Sequence, residues 1–319
     1  MSDKNDTPEV VHQSIFIWLR SKIDAFDIQD EVAAWLSRDF PHIEIVLCEE
    51  FEELKELISD ADVLLTWYFE KPWFDQAPKL KWIFTPAAGK DWVPLDPLGR
   101  VDVHYGRFHG PMMVESLLAM MFHHNRAIPQ LMANQFQKKW DRNAQKETQS
   151  LQNKKIQIWG YGAIGDRCAQ VLQAFGCEVF GVCRTPSTKS NRHHVTLQTP
   201  LEAKSQLNQM DMIISFLPTS DEIVMDVEFF HSLKNGVQFY SLGRGDSIDE
   251  KALLNVLNTG LVSFAGLDVF QEEPLPKSSP LWEHPNVLIS PHSACIMQDY
   301  GRMFYTEAKI YLDTIFTRL

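Results

Sequence analysis

Three glycines between positions 160 and 165 constrain the fold of this chain more than any other feature. They belong to the hexapeptide Gly160-Tyr161-Gly162-Ala163-Ile164-Gly165. An apolar run of strand length precedes them, an amphipathic helical pattern begins at Ala163, and a second apolar run ends near position 183. A strand, a glycine turn, a helix and a second strand in this order predict a βαβ unit that binds a dinucleotide.

Each glycine has a physical role in such a unit. Gly160 permits the tight turn, Gly162 lets backbone approach the pyrophosphate, and Gly165 lets the helix pack on the strand. Ala163 and Ile164 begin the helix, whose free N–H groups face the phosphates. We also assign Leu217 and Pro218, which follow a later predicted strand, to the cofactor site. The alternative is a glycine-rich turn without a ligand, and the surrounding pattern disfavours it.

The residues that end the second strand bear on the choice of cofactor. An NAD site usually has an acidic residue there, about 20 residues after the glycines. This chain has Cys183, Arg184 and Thr185 instead, and the loop continues to Lys189 and Arg192. A guanidinium can pair with a 2′-phosphate, so we expect NADP in preference to NAD. A solvated basic loop is the alternative.

Strand-like and helix-like segments alternate along the whole chain, which predicts parallel sheets. We expect an α/β fold of two Rossmann-like or flavodoxin-like parallel-sheet domains with an active-site cleft between them. Residues 1–109 plus 295–319 form the predicted substrate domain, and 110–294 form the dinucleotide-binding domain. A helical stretch at 113–140 is expected to break at Pro129, since proline interrupts a helix interior.

Composition excludes several classes of protein. The 319 residues carry a net charge of −12, from 42 acidic and 30 basic side chains, which disfavours nucleic-acid and anionic membrane surfaces. The five cysteines lack disulfide or metal-ligand spacing, so we expect a reducing cytoplasm and no metal. The paired histidines at 123–124 and 193–194 also lack a ligand pattern. No apolar run approaches the roughly 20 residues of a membrane helix.

Charged residues follow three predicted strands downstream of the glycines. Arg244 stands between two glycines after one strand, Asp268 and Glu273 come at and beyond the end of the next, and His292 follows the last. Because the carboxyl ends of parallel strands share one edge of a sheet, we expect these side chains to meet where the nicotinamide would lie. Taken singly, each would more often be a structural or surface residue.

The order and flanks of four motifs resemble the D-isomer-specific 2-hydroxyacid dehydrogenases. The motifs are the glycine hexapeptide, the Arg244-Gly245 pair, LDVFxxEPLP at 267–276 and NVxxxPH at 286–292. This family includes glyoxylate/hydroxypyruvate reductases, phosphoglycerate dehydrogenase and D-lactate dehydrogenase, and the resemblance is strongest across about 110–295. It implies a catalytic Arg244, Glu273 and His292, and an Asp268 that contacts the nicotinamide side of the cofactor.

These residue types fit the reduction of a small 2-keto acid to a 2-hydroxy acid. His292 can supply a proton to the carbonyl oxygen, because imidazole titrates near neutrality. Glu273 would orient the ring and favour its charged form. Arg244 would hold the substrate carboxylate and polarise the carbonyl.

The substrate side is less specific. Ala88, Gly89 and Lys90 resemble the family's glycine loop, whose backbone N–H groups bind the substrate carboxylate, although Lys90 departs from the usual Val. Lys90 either adds charge for an anionic substrate or points to solvent. Trp67 and Tyr68, which end the preceding predicted strand, either wall the pocket or pack in the core.

The segment 113–126 resembles the family's dimer helix, which implies a homodimer. A Met-rich helix is equally consistent with core packing.

Two alternative functions stay open at the level of sequence. The C-terminal-binding corepressors share this fold, so a dinucleotide-sensing protein is the alternative to an enzyme. A formate- or phosphonate-type dehydrogenase is a third possibility.

Overall fold

The computed structural model describes residues 13–146, 148–186 and 195–316. The described chain forms two compact units. One contains the residues up to Phe108 and those from Ile296 onward, and the other is His109–Cys295. Among the described residues, no helix is both long and apolar enough to cross a membrane.

The first unit is built on a five-stranded parallel sheet in the order β2-β1-β3-β4-β5. Its strands are Ser14–Trp18 (β1), Glu44–Leu47 (β2), Val63–Thr66 (β3), Trp82–Thr85 (β4) and Asp102–Tyr105 (β5). Its helices are Gln29–Asp39 (α1), Phe51–Leu57 (α2) and the C-terminal helix Tyr300–Phe316. This is the flavodoxin-like order, and β3 is buried along its whole length because both faces of the sheet are covered.

The second unit holds a seven-stranded parallel sheet in the order β12-β11-β10-β9-β6-β7-β8. Its strands are Lys155–Trp159 (β6), Glu178–Val182 (β7), Thr196–Gln198 (β8), Met212–Ser215 (β9), Val237–Ser241 (β10), Val262–Leu267 (β11) and Val287–Ile289 (β12). Its helices are Gly110–Asn125 (α3), Ile128–Phe136 (α4), Ala163–Ala174 (α5), Pro200–Lys204 (α6), Val227–His231 (α7) and Glu250–Asn258 (α8), which makes the C-terminal helix α9. The order matches a doubly wound Rossmann sheet with one added strand.

The predicted α/β fold with two parallel-sheet units is confirmed. Two strands were not predicted, and one helix break lies at a different residue. The sequence patterns gave no strand at β5 or at β8. β5 is an edge strand whose pattern, Asp-Val-His-Tyr, contains little apolar surface. β8 has only three residues, too few for a periodic signal.

The predicted helix break at Pro129 was wrong by two residues. α3 ends at Asn125, and Ala127 adopts a left-handed conformation with φ 51°. Pro129 instead lies in the first turn of α4, where its missing N–H leaves no hydrogen bond unmade. The chain therefore turns before the proline, and the proline starts the next helix.

Candidate active site

The glycine turn lies where the strand order of the second sheet reverses, between β6 and β9. Gly160 has φ 82°, and a Cβ at this position would come 2.5 Å from the carbonyl oxygen of Phe216. The N–H groups of Gly160 and Tyr161 both donate to the carbonyl of Val182, at 3.2 and 3.0 Å. Only glycine fits here, because any side chain would separate the turn from the segment that begins at Leu217.

The start of α5 has the space and the donors that a phosphate group needs. A Cβ on Gly162 would meet nothing within 4 Å, so the backbone is open on that side. The N–H groups of Ala163, Ile164 and Gly165 have no acceptor within the helix, as in the first turn of any helix. A Cβ on Gly165 would lie 3.2 Å from Ile158, which agrees with close packing of helix on strand. These residues fit a dinucleotide pyrophosphate.

The end of β7 presents side chains to solvent. Cys183 is partly buried and its N–H donates to the carbonyl of Gln198 at 3.1 Å, while Arg184 and Thr185 are exposed. No carboxylate occurs at 183–186. The predictions for Lys189, for Arg192 and for the histidine pair at 193–194 fall outside the described residues. Pro218, two residues after Phe216, is exposed.

Sheet register brings the remaining predicted groups to one edge. Ser241 of β10 pairs with Leu267 of β11, and Leu267 pairs with Ile289 of β12. Arg244 follows the first of these positions by three residues and His292 follows the last by three. Their backbones therefore leave the sheet at the same edge and within neighbouring strands.

Glu273 and His292 are in direct contact. Glu273 Oε2 lies 2.7 Å from His292 Nδ1, and Glu273 Oε1 accepts a hydrogen bond from the N–H of Phe270 at 2.9 Å. His292 itself has φ 49°, a left-handed conformation that is uncommon for a residue with a side chain. The carboxylate is thus held at one oxygen by backbone and orients the imidazole with the other. The imidazole of His292 is therefore held in one orientation, in which it can donate or accept a proton.

Asp268 holds the loop that carries the histidine. Its buried carboxylate accepts hydrogen bonds from Ser290 Oγ at 2.5 Å, from Ser293 N at 2.9 Å and from Ala294 N at 3.1 Å. The N–H of His292 also donates to the Asp268 carbonyl at 2.8 Å. Donors of the protein itself therefore occupy three acceptor positions of the Asp268 carboxylate. The residue types at 290–294 gave no indication of this role.

Arg244 leaves β10 beside the same loops. Its Nη1 donates to the carbonyl of Gly243 at 3.1 Å, and Gly245 packs so closely on the Phe270 carbonyl that no side chain would fit. Burial raises the pKa of the Cys295 thiol to about 11, the nearby Asp268 adds to the rise, and Arg244 opposes it. The close approach of Gly245 to Phe270 places the Arg244 segment against the loop that carries Glu273. The need for Gly245 was not apparent from the sequence, where it was only a flank of Arg244.

Apart from Arg244, the predicted substrate residues lie in the first unit. Ala88 and Lys90 are exposed and Gly89 is half-buried, in a loop that follows β4. Lys90 Nζ lies 6.0 Å from the ring centre of Tyr105. Trp67 is buried, and its indole N–H donates to the backbone carbonyls of Leu19 and Phe26 at 3.3 and 3.2 Å. The polar edge of Trp67 is therefore engaged within the core.

Comparison with known proteins agrees with this geometry. The family model described as "D-isomer specific 2-hydroxyacid dehydrogenase, NAD binding domain" matches residues 118–294. A protein of Citrobacter koseri named glyoxylate/hydroxypyruvate reductase A is 30% identical over 264 residues, which cover 78% of this chain and 82% of that protein.

Two solved structures of D-isomer specific 2-hydroxyacid dehydrogenases share the fold. The one from Aeromonas salmonicida is 28% identical with a TM-score of 0.77, and the match covers 95% of this chain and 96% of that chain. The one from Xanthobacter autotrophicus, a complex with NADPH and MES, is 26% identical with a TM-score of 0.76, covering 93% and 92%. The predicted resemblance, enzyme class and dinucleotide cofactor are thereby confirmed. The chain belongs to the D-isomer specific 2-hydroxyacid dehydrogenases, a family of NAD(P)-dependent oxidoreductases.

Proposed function

We propose that this chain reduces a small 2-keto acid, of the glyoxylate or hydroxypyruvate type, to the D-2-hydroxy acid, with NADPH as the preferred reductant. The observation that carries the proposal is the 2.7 Å contact between Glu273 and His292 at the edge of the sheet that also bears the glycine turn. The name of the Citrobacter relative, glyoxylate/hydroxypyruvate reductase A, supports the substrate type.

His292 transfers the proton. Its Nδ1 is engaged by Glu273, so Nε2 is the ring nitrogen left for the substrate oxygen. In the direction of reduction, the Nε2 proton goes to the carbonyl oxygen, and in the direction of oxidation the neutral ring takes it back. Glu273 keeps the ring oriented and stabilises its positive charge. When bound, NADPH supplies the hydride that the carbonyl carbon accepts.

Arg244 binds the substrate. A guanidinium can donate two parallel hydrogen bonds to a carboxylate and can also approach the adjacent keto oxygen. Negative charge develops on that oxygen during reduction, and a fixed cation stabilises it. Arg244 thus fixes the orientation of the keto acid relative to His292.

The cofactor would be held along the glycine turn. Gly160, Gly162 and Gly165 leave room for the pyrophosphate, and the first-turn N–H groups of Ala163 and Ile164 donate to it. Leu217, Pro218 and Asp268 complete the predicted contacts. Arg184 and Thr185 would contact a 2′-phosphate, and the NADPH complex of the Xanthobacter protein supports this choice of cofactor.

The loop after β4 carries the predicted substrate contacts of the first unit. Backbone N–H groups at Ala88 and Gly89 are proposed to bind the substrate carboxylate, and exposed Lys90 to add positive charge. Trp67 would contribute an apolar wall only, because its N–H is already hydrogen-bonded.

The experiment is a panel of 2-keto acids measured with NADPH and with NADH, on the native chain and on His292→Ala. We expect turnover of small keto acids and a loss of roughly 10²- to 10⁴-fold in kcat in the variant. His231→Ala, which removes an exposed histidine at the end of α7, is the matched control. Cofactor binding without turnover would favour the dinucleotide-sensing alternative. Turnover of formate or phosphonate with NADP, in place of keto acids, would favour the other dehydrogenase class.

The sequence predicted a homodimer through the segment 113–126, and we propose instead that the dimer contact involves α4 and the residues that follow it. The apolar residues of α3 are largely buried in their own unit, whereas Met132, Phe136 and Trp140 are exposed. Phe136 on α4 is 81% exposed and Trp140 is 89% exposed. Light scattering on the native chain and on Phe136→Glu tests this: a dimer that becomes a monomer supports it, and a monomeric native chain contradicts it. The cytoplasmic location stays a prediction.

A further inference from the structure

A second carboxylate supports the loop that carries Glu273. Glu250 lies in the first turn of α8, and its Oε1 accepts a hydrogen bond from the N–H of Gln271 at 2.6 Å. The start of α8 is itself fixed, because the Asp249 side chain accepts from the N–H of Ala252 at 3.0 Å. Glu250 therefore reaches from a capped helix to the segment two residues before Glu273.

The contacts continue from this point to the imidazole. The N–H of Phe270, next to Gln271, donates to Glu273 Oε1 at 2.9 Å, and Glu273 Oε2 contacts His292 Nδ1 at 2.7 Å. Two consecutive backbone N–H groups are thus each held by a carboxylate, one from α8 and one from within the loop. The bond to Glu250 fixes the peptide plane that carries the Gln271 N–H, and that plane adjoins at Phe270 the plane whose N–H donates to Glu273.

The placement of Glu250 is electrostatically unfavourable apart from this bond. Burial raises the pKa of its carboxyl, the bond from Gln271 opposes that rise, and Glu272 and Glu273 add to it by repulsion. A partly buried acid beside two others needs a compensating hydrogen bond. The N–H of Gln271 provides that compensation.

We propose that Glu250 is a positioning residue for proton transfer, which holds the Phe270–Gln271 backbone so that Glu273 keeps its contact with His292. This inference rests on the proposed roles of Glu273 and His292. Glu250 needs no contact with substrate or cofactor for this role. It acts through the loop alone.

Three substitutions separate the hydrogen bond from the charge. Glu250→Gln keeps an acceptor oxygen at the same reach, Glu250→Asp keeps the charge but shortens the side chain, and Glu250→Ala removes both. We expect kcat to fall roughly ten-fold in the Asp and Ala variants and to stay near the native value in the Gln variant. Glu228→Ala, an exposed first-turn glutamate of α7, is the control and should leave kcat unchanged.

Two readouts distinguish positioning from general destabilisation. The affinity for NADPH, measured by fluorescence titration, should be unchanged in all three variants. In the Asp and Ala variants kcat should therefore fall while the KM for NADPH stays at its native value. The alkaline limb of the kcat–pH profile should move to lower pH in the Asp and Ala variants, because a weakened Glu273 contact favours the charged imidazole less. If the Ala variant fails to fold, the Asp variant decides.

The outcomes separate this inference from the proposed function. Full activity of His292→Ala would overturn the proposed function. Loss of activity in His292→Ala together with native kcat and pH profile in Glu250→Asp would overturn only the positioning role. A ten-fold loss in Glu250→Gln equal to that in Glu250→Asp would also overturn it, because the acceptor would then not be what matters.

Discussion

The carboxyl edge of the second sheet contains two groups of loops that are built differently. Residues 268–273 and 290–294, the loops with the proposed acid–base groups, are tied by hydrogen bonds to Asp268, Glu273 and Glu250. Residues 183–186, the proposed cofactor loop, carry exposed side chains from Arg184 onward. Proton transfer requires accurate geometry, so we expect the groups that carry it out to be fixed before the substrate binds. A charge that recognises a phosphate can stay solvated until the ligand arrives.

Next to removal of the histidine itself, the largest expected effect comes from neutralising the group that orients it. Glu273→Gln should lower kcat roughly 10²- to 10³-fold. It should also move the alkaline limb of the kcat–pH profile to lower pH, because the charged imidazole loses its ionic partner. The measurement is kcat with a 2-keto acid and saturating NADPH from about pH 5 to about pH 9.

The neighbouring residue provides the control. Glu272→Gln removes an equal charge one position away, and Glu272 is exposed. It should leave kcat and the profile close to native. Equal behaviour of the two variants would mean that net charge, and not the contact with His292, governs the reaction.

The next effect tests how firmly the histidine loop is held. Asp268→Asn replaces one acceptor oxygen by an NH2 group, which cannot accept from the N–H groups of Ser293 or Ala294. We expect the free energy of unfolding to fall by roughly 1–3 kcal/mol, together with a loss of kcat. Urea denaturation gives the first quantity. Ser290→Ala removes one of the three side-chain contacts and should cost less. A native stability in Asp268→Asn would show that the loop is held by other contacts.

The sequence predicted the order of elements well because most strands are buried on both faces. β9, for example, is buried at every position and reads as an uninterrupted apolar run. The two missed strands, β5 and β8, lie at the outer edges of their sheets, where fewer apolar residues are required. The helix break near Pro129 was placed too late because proline is also a good first-turn residue.

In the candidate site, too, some residues could be predicted from the sequence and others could not. Arg244, Glu273 and His292 were identified by residue type and order, and the register of β10, β11 and β12 accounts for their sharing an edge. Glu250 could not be found this way, since its partner is a backbone N–H that has no sequence signature. Gly245 was visible only as a flank of Arg244, because its close approach to Phe270 depends on tertiary packing.

A smaller effect should come from the cofactor loop. Arg184→Ala is expected to reduce the preference for NADPH over NADH roughly ten-fold, because one solvent-exposed charge pair to the 2′-phosphate is lost. The KM values for both cofactors give the ratio. Lys204→Ala, an exposed cation at the end of α6, should leave it unchanged. An unaltered ratio in Arg184→Ala would remove Arg184 from cofactor selection.

The smallest effect concerns the first unit. The segment between β4 and β5 also contains a part with exposed side chains and a part that is held by hydrogen bonds to a carboxylate. Residues 88–90 contain exposed side chains, whereas Asp96 is buried and accepts from the N–H groups of Leu98 and Arg100 at 3.2 and 2.7 Å. The Arg100 guanidinium and these bonds lower the pKa of Asp96 to about 2. Asp96→Asn should therefore cost about 1 kcal/mol of unfolding free energy at neutral pH, and should leave kcat unchanged.

The pH dependence of that cost follows from the sign of the shift. An aspartate in an unfolded chain has a pKa of about 3.9, above its value in the fold, so the stabilisation is present above about pH 4. It is lost as the pH falls from there towards 2, where the folded carboxyl is also protonated. Melting temperatures of the native chain and of Asp96→Asn should therefore converge in this range. Asp75→Asn, which removes an exposed carboxylate 3.2 Å from the same guanidinium, should show little difference at any pH. A difference between native chain and Asp96→Asn that persists to pH 2 would mean that Asp96 stabilises the turn by shape and not by charge.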